Sequence, residues 1–212
     1  MTGVSPRTAA RAAYAAAGAN AAAAAAMLLW LRRGLPIQGS ELRDRMTYVV
    51  SNRGAWVAGW LLWNAAAIAL VAFYLGLAGL WRERAPIRCG LALLCAAAGL
   101  AADLGAEAIY MIVAPALGPE AFAVAEKTAG ALTGFLGNGL YTIGGVLLTT
   151  AGAGELPRRL VGLAAAVWIA GASLAASSLA ESPAGQFWTT AALMPLFVVW
   201  AVLVGRWLNR AS

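Results

Sequence analysis

Six runs of apolar residues, each long enough to cross a lipid bilayer, follow one another along the chain with short polar segments between them. A membrane-spanning helix needs about 20 predominantly apolar residues. We therefore predict an all-α, polytopic integral membrane protein in which residues 1–212 form a single membrane domain, a six-helix bundle. The predicted spans lie at about 8–31, 54–81, 86–114, 120–150, 157–180 and 186–209.

The composition excludes several classes of protein. The chain is 62% apolar and 11% charged, whereas a soluble domain is typically about 45–50% apolar and about 25% charged. It contains no histidine, which excludes histidine-ligated haem and Ser-His or Cys-His catalysis. We also find no P-loop, nucleophile elbow or metal-ligand motif. We therefore expect no cofactor and no metal site, and a function other than catalysis is favoured.

Most of the arginines that give the chain its net charge of +6 stand at the ends of the apolar runs. This is the pattern of anchors that reach the membrane surface, and it offers no groove for a nucleic acid. We therefore expect the lipid bilayer, and no nucleic acid, as a partner. The residues concerned are Arg7, Arg11, Arg82, Arg84, Arg88, Arg158, Arg159, Arg206 and Arg210.

The same arginines predict the orientation of the bundle, because cytoplasmic segments carry an excess of Lys and Arg. They favour both termini inside and residues 34–53 outside, although that first outer loop also holds several arginines. Ser40, followed by Glu41, predicts the N-cap of a short amphipathic helix at about 40–51. Aromatic residues are expected at the two interfaces: Trp56, Trp60, Phe187 and Trp188 at the outer one, and Trp81 and Trp207 at the inner one.

Charged residues inside a span are costly and usually face protein or a water-filled cavity. Asp103 and Glu107 share one face of the third span, with Tyr110 a turn further along. Glu107 and Lys127 lie at matching depth, about 12 Å from the turn that joins their spans, and this predicts an ion pair between them. Asp103 would then have no basic partner, and we expect it to be protonated or to share a cation. Four charged residues lie within predicted spans and away from their ends: Asp103, Glu107, Glu126 and Lys127.

Polar groups of other spans fall at a similar depth. Asn138 and Tyr141 share the Lys127 face of the fourth span, by the helical period. The second and fifth spans contribute Asn64 and Ser173. The sequence therefore predicts a polar binding cavity in the outer half of the bundle. Its candidate residues are Asp103, Glu107, Lys127, Asn64, Asn138, Tyr141, Tyr110 and Ser173.

The long outer loop between the first two spans and the segment Leu156-Pro157-Arg158-Arg159-Leu160 carry a resemblance to a known group of proteins. The layout resembles small six-helix bacterial membrane proteins that are classed as domains of unknown function, and this resemblance implies no activity. Six helices in about 200 alanine-rich residues also look like the substrate-binding subunits of vitamin transporters. The alanine and arginine bias suggests a bacterial inner membrane.

Three functions stay open from the sequence. The first is a protein that binds or transports a small solute or ion, such as a cation, through the polar cavity. The second is an accessory or assembly subunit that binds other membrane subunits and whose intramembrane charges are structural. The third is an intramembrane enzyme that uses Asp103 and Glu107 as an acid–base pair.

Overall fold

A computed structural model describes residues 4–36 and 40–210, and within these residues the chain forms seven helices and no strand. Six of them are long and apolar enough to cross a membrane, which indicates a multi-pass membrane protein that contacts lipid. These six are α1 (Pro6–Gly34), α3 (Arg53–Trp81), α4 (Pro86–Ala116), α5 (Pro119–Ala151), α6 (Arg158–Leu179) and α7 (Pro183–Arg210). The seventh, α2 (Leu42–Ser51), is short.

The predicted helices are confirmed, and each observed span ends within three residues of its predicted boundary. The predicted short helix is present as α2, but its cap is different. The N-cap residue is Glu41 and makes no side-chain capping bond, while the Ser40 hydroxyl donates to the Leu35 carbonyl at 3.4 Å. The remainder of the predicted outer loop, residues 37–39, lies outside the described residues.

The six spans form a closed ring in chain order, because each packs against the next and α7 packs against α1. The ring has two ends. We call the end that holds the α4–α5 and α6–α7 turns the mouth, and the opposite end, which holds the α3–α4 and α5–α6 connections, the base. Sequential neighbours in a ring leave space along the axis, and the two halves fill it differently.

The base half is closed by aromatic rings that lie directly on glycines. A Cβ atom on Gly145 would overlap the ring of Trp168, and one on Gly152 would overlap the ring of Trp81. Trp168 in turn meets Trp200 edge to face, with ring centroids 5.2 Å apart. Small residues allow close approach in a membrane bundle, so this half packs into a continuous apolar core.

The mouth half departs from regular α-helix. π-helical segments occur at Met27–Leu31 in α1, Ile109–Val113 in α4 and Ala131–Gly137 in α5. All three lie in the mouth half or at mid-depth, and the described base half contains none. π-helical turns are rare and are frequent at functional sites.

Trp56, Trp60 and Trp81, which the sequence predicts at the membrane interfaces, are buried within the protein. Trp56 donates from its indole N–H to the Tyr110 carbonyl at 2.8 Å. Trp60 stacks on the Tyr110 ring with centroids 4.3 Å apart. The physical reason for Trp56 and Trp60 is that α2 and α4 pack against the mouth end of α3. Trp81, at the base end, is covered by the segment around Gly152. Trp188 is 69% exposed on the surface of the bundle.

Candidate functional site

The ring of spans encloses a cavity of about 770 Å³, and all six spans contribute to its wall. This volume falls within the range of about 300–1,000 Å³ typical of small-molecule sites. Arg32, Lys127 and Glu181 lie around the mouth, whereas Asp103 and Trp168 lie towards the base. The cavity is therefore a recess that begins at the mouth and stops above the closed base half.

Asp103 is the charged side chain in the floor of this recess. It is 4% exposed, and its Oδ1 atom has no hydrogen-bond partner. The side chain packs onto Gly137 of α5, where a Cβ atom would lie 2.5 Å from Oδ1. The hydroxyl groups of Thr133 and Tyr141 lie close enough to interact with it. A carboxylate in such a place needs a proton or a cation.

Glu107 lies one helical turn from Asp103 towards the mouth and is fully buried, with neither carboxylate oxygen partnered. The predicted ion pair between Glu107 and Lys127 is wrong. Lys127 Nζ instead lies 2.7 Å from Glu181 Oε1 at the exposed mouth. Glu107 and Lys127 lie at a similar depth, but their side chains do not face each other. Each residue turns the helix by about 100°, and the side chain that points inward is that of the neighbouring Glu126.

Glu126 forms a buried ion pair with Arg45 of α2 that the sequence did not predict. Arg45 Nε lies 3.1 Å from Glu126 Oε1, and Nη2 lies 2.7 Å from Oε2. Arg45 Nη1 also donates to the Ser40 carbonyl at 2.8 Å, and the Tyr110 hydroxyl donates to the Glu126 carbonyl at 3.3 Å. Two-point pairing of this kind is strong and directional, and it fixes α2 across the mouth of the bundle.

Of four further predicted site residues, three line the cavity and one does not. Tyr110, Tyr141 and Asn138 line the cavity, and Asn138 Nδ2 donates to the Gly171 carbonyl of α6 at 2.6 Å. Asn64 lies outside the wall, and its buried Oδ1 has no partner.

Ser173 is exposed on the outer surface of α6 and does not reach the cavity. Its place is taken by Ser178, which is buried in the wall and packs against Gly134. Five residues turn a helix by about 140° beyond a full circle, so the predicted face of α6 was the wrong one. The close approach of Gly134 and Ser178 identifies Ser178 as a wall residue, but this pairing is visible only once the positions of the two helices are known.

Several buried polar atoms of the wall have no hydrogen-bond partner, although buried polar groups are normally satisfied. They belong to four side chains on four different helices, and a bound molecule or water inside the recess would lie within their reach. These atoms are Asp103 Oδ1, Tyr141 Oη, Ser178 Oγ and Trp60 Nε1. Sequence reasoning missed Trp60, Thr133, Trp168 and Ser178 as wall residues.

Within residues 4–36 and 40–210, no group of three or more His, Cys, Asp or Glu side chains is placed to hold a metal ion. Cys89 and Cys95 are both free thiols. Comparisons with protein-family models, curated proteins and solved structures found no match to this chain. The functional inference therefore rests on the geometry of the cavity.

Proposed function

We propose that the protein binds a small solute or ion in this cavity and acts as a transporter or as the binding subunit of one. The observation that carries the proposal is the position of Asp103, a buried acid with an unpartnered oxygen in the floor of a recess that all six spans line. Ionisable residues inside a membrane are expensive, and those that line a cavity mark ion and substrate pathways.

Three ion pairs elsewhere in the molecule contrast with the unpaired Asp103. Arg45 pairs with Glu126, Arg84 with Glu155, and Lys127 with Glu181. An accessory subunit with purely structural charges accounts for these pairs, but it leaves the unpaired Asp103 unexplained. A binding site accounts for the pairs and for Asp103. Glu107, whose carboxylate is also unpartnered, lies outside the cavity wall and is explained by neither function.

An acid–base enzyme is less well supported. General acid–base catalysis requires both groups within hydrogen-bond reach of the substrate. Asp103 lines the cavity, whereas Glu107 is fully buried behind the wall. Only one of the two carboxylates is therefore available to a bound molecule.

The solute would enter from outside the cell, since the arginines concentrate at the base and cytoplasmic segments carry the positive excess. We propose that the mouth faces outward in a bacterial inner membrane. Ala116 is exposed at the mouth, at the end of α4, and Ala153 is exposed at the base, in the α5–α6 connection. In a Cys89→Ala/Cys95→Ala background, an impermeant thiol reagent should label Ala116→Cys in intact cells and spare Ala153→Cys. Labelling of Ala153→Cys alone would invert the orientation.

The binding proposal requires that water and small molecules reach the floor of the recess. Thr133 lines the cavity beside Asp103, and Thr128, on the same span, is exposed on the outer surface and does not line it. We would place a single cysteine at each position in the cysteine-free background and react the purified protein with a neutral, water-soluble methanethiosulfonate.

Thr133→Cys should react at a rate within about tenfold of a free thiol, whereas Thr128→Cys, surrounded by lipid or detergent tails, should be much slower. A folded Thr133→Cys protein that does not react would contradict the proposal, because the floor would then be closed to solutes.

A further inference from the structure

We infer that the solute is an organic monocation, a protonated or quaternary amine with an apolar or aromatic body. This inference rests on the proposed function and names the class of ligand that the same cavity takes. It follows from three properties of the floor: its single acid, its aromatic walls and its small number of oxygen ligands.

The charges of the wall are separated by depth. Tyr110 lies opposite Glu126, and Asp103, seven residues further along α4, lies about 10 Å deeper. Arg32, Lys127 and Glu181 lie beside Glu126 at the mouth. In the described part of the chain, Asp103 is therefore the only charged wall residue in the deep half of the recess. A bound cation there meets a negative group with no competing positive charge at its level.

Aromatic rings line the deep half of the recess. Tyr141 lies beside Asp103, Tyr74 and Trp168 line the recess on its base side, and Trp60 lies higher in the wall, stacked on Tyr110.

The polar ends of two floor rings are already used within the protein. The Tyr74 hydroxyl donates to the Tyr141 carbonyl at 2.8 Å, and the Trp168 indole donates to Thr149 at 3.0 Å. The rings therefore offer the ligand their apolar and π surfaces, and the faces of aromatic rings attract organic ammonium groups.

A bare inorganic cation fits the floor less well. Calcium takes six to eight oxygen ligands and magnesium requires near-ideal octahedral coordination, whereas the side-chain oxygens at Asp103 come from Thr133 and Tyr141. A volume of about 770 Å³ also greatly exceeds that of an ion. An organic cation fills this volume with its apolar body and needs few oxygen ligands, because such cations are weakly hydrated.

A pair of oppositely charged thiol reagents tests the sign of the charge that the floor accepts. Thr133→Cys is reacted with 2-(trimethylammonio)ethyl and with 2-sulfonatoethyl methanethiosulfonate, and each rate is divided by the rate for free 2-mercaptoethanol. We expect the normalised ratio to favour the cation by at least about tenfold. Asp103→Asn in the same background should bring the ratio close to unity, because it removes the charge and keeps the shape of the side chain.

A second measurement tests the charge preference on a bulky apolar body and needs no change at Asp103. Tetraphenylphosphonium should protect Thr133→Cys from the neutral reagent, and its isosteric anion tetraphenylborate should not. This pair decides the question if Asp103→Asn fails to fold.

The outcomes separate the inference from the proposed function. A normalised ratio near unity, a preference for the anionic reagent, equal protection by the two tetraphenyl ions, or a cation preference that survives Asp103→Asn each overturns the inference. In all of these cases, reaction of Thr133→Cys with the neutral reagent would still support the proposed binding cavity. If the neutral reagent also fails to react, the proposed function fails with the inference.

Discussion

In the base half of the bundle, tryptophan rings lie on glycines and fill the axis of the ring of helices; in the mouth half, similar rings line open space. Trp168 packs on Gly145 and Trp81 packs on Gly152. Trp60 and Tyr110 stack on one another at the cavity wall, where α4 and α5 carry π-helical segments.

The two halves also treat polar groups differently. The unpartnered polar atoms of the base half include the indole N–H groups of Trp81 and Trp200, which carry no charge. The mouth half and the floor of the recess hold the buried Arg45–Glu126 pair and the unpaired acids Asp103 and Glu107. The difference indicates that close packing at the base and one ion pair at the mouth hold the bundle together, while the recess between them stays open.

The largest effect on stability is expected at the buried Arg45–Glu126 pair, which holds α2 across the mouth. Arg45→Met strands a buried Glu126 carboxylate, and breaking a buried pair from one side costs about 3–5 kcal/mol of unfolding free energy. Adding Glu126→Leu should recover much of this loss, because no charge then remains buried. Unfolding in detergent measures both. A double variant as unstable as the sum of the two single variants would show that the pair does not interact.

The next effect tests the close packing of the base. Gly145→Ala places a methyl group inside the Trp168 ring, and overpacking of this kind typically costs about 1–3 kcal/mol. Gly162→Ala is the matched control, because a Cβ atom there meets nothing within 4 Å. A glycine-to-alanine change in an open helix position is stabilising by up to about 1 kcal/mol. Equal unfolding free energies for the two variants would refute the tight base.

A smaller effect is expected at the rim of the cavity. Lys127 pairs with Glu181, but both side chains are mostly exposed. Exposed pairs are worth about 0–1 kcal/mol, so Lys127→Met should change the unfolding free energy by less than about 1 kcal/mol. A loss as large as that of Arg45→Met would mean that the rim, like the Arg45–Glu126 pair, holds the mouth together.

The smallest stability effect is expected at the acid itself. Asp103→Asn keeps the shape and removes a charge that burial disfavours, so we expect a change of less than about 1 kcal/mol in unfolding free energy. The same variant should abolish the preference of Thr133→Cys for a cationic reagent. A large loss of stability with unchanged charge preference would make Asp103 a structural residue, as in an accessory subunit.

Length and hydropathy were enough to predict the six spans, because a bilayer fixes how many apolar residues a helix must present. The short helix α2 was predicted instead from the cap signal at Ser40 and Glu41, although the cap itself is different. The direction that each span faces was harder to predict. Lipid on the outside is as apolar as the protein interior, so the periodicity that identifies the buried face of a soluble helix is weak here. Ser173 was therefore chosen where Ser178 lines the wall, and Lys127 was paired with Glu107 where Glu126 points inward.

The distinction between an open mouth half and a closed base half is tested most directly by comparing two interior cysteines. Thr133 lines the recess, and Val167, fully buried in the base core, can become cysteine without adding volume. With the neutral methanethiosulfonate, we predict that Thr133→Cys reacts and that Val167→Cys stays unreacted until the protein is unfolded. Equal rates at the two sites, whether both fast or both negligible, would contradict a recess that admits solutes as far as Asp103 and no further.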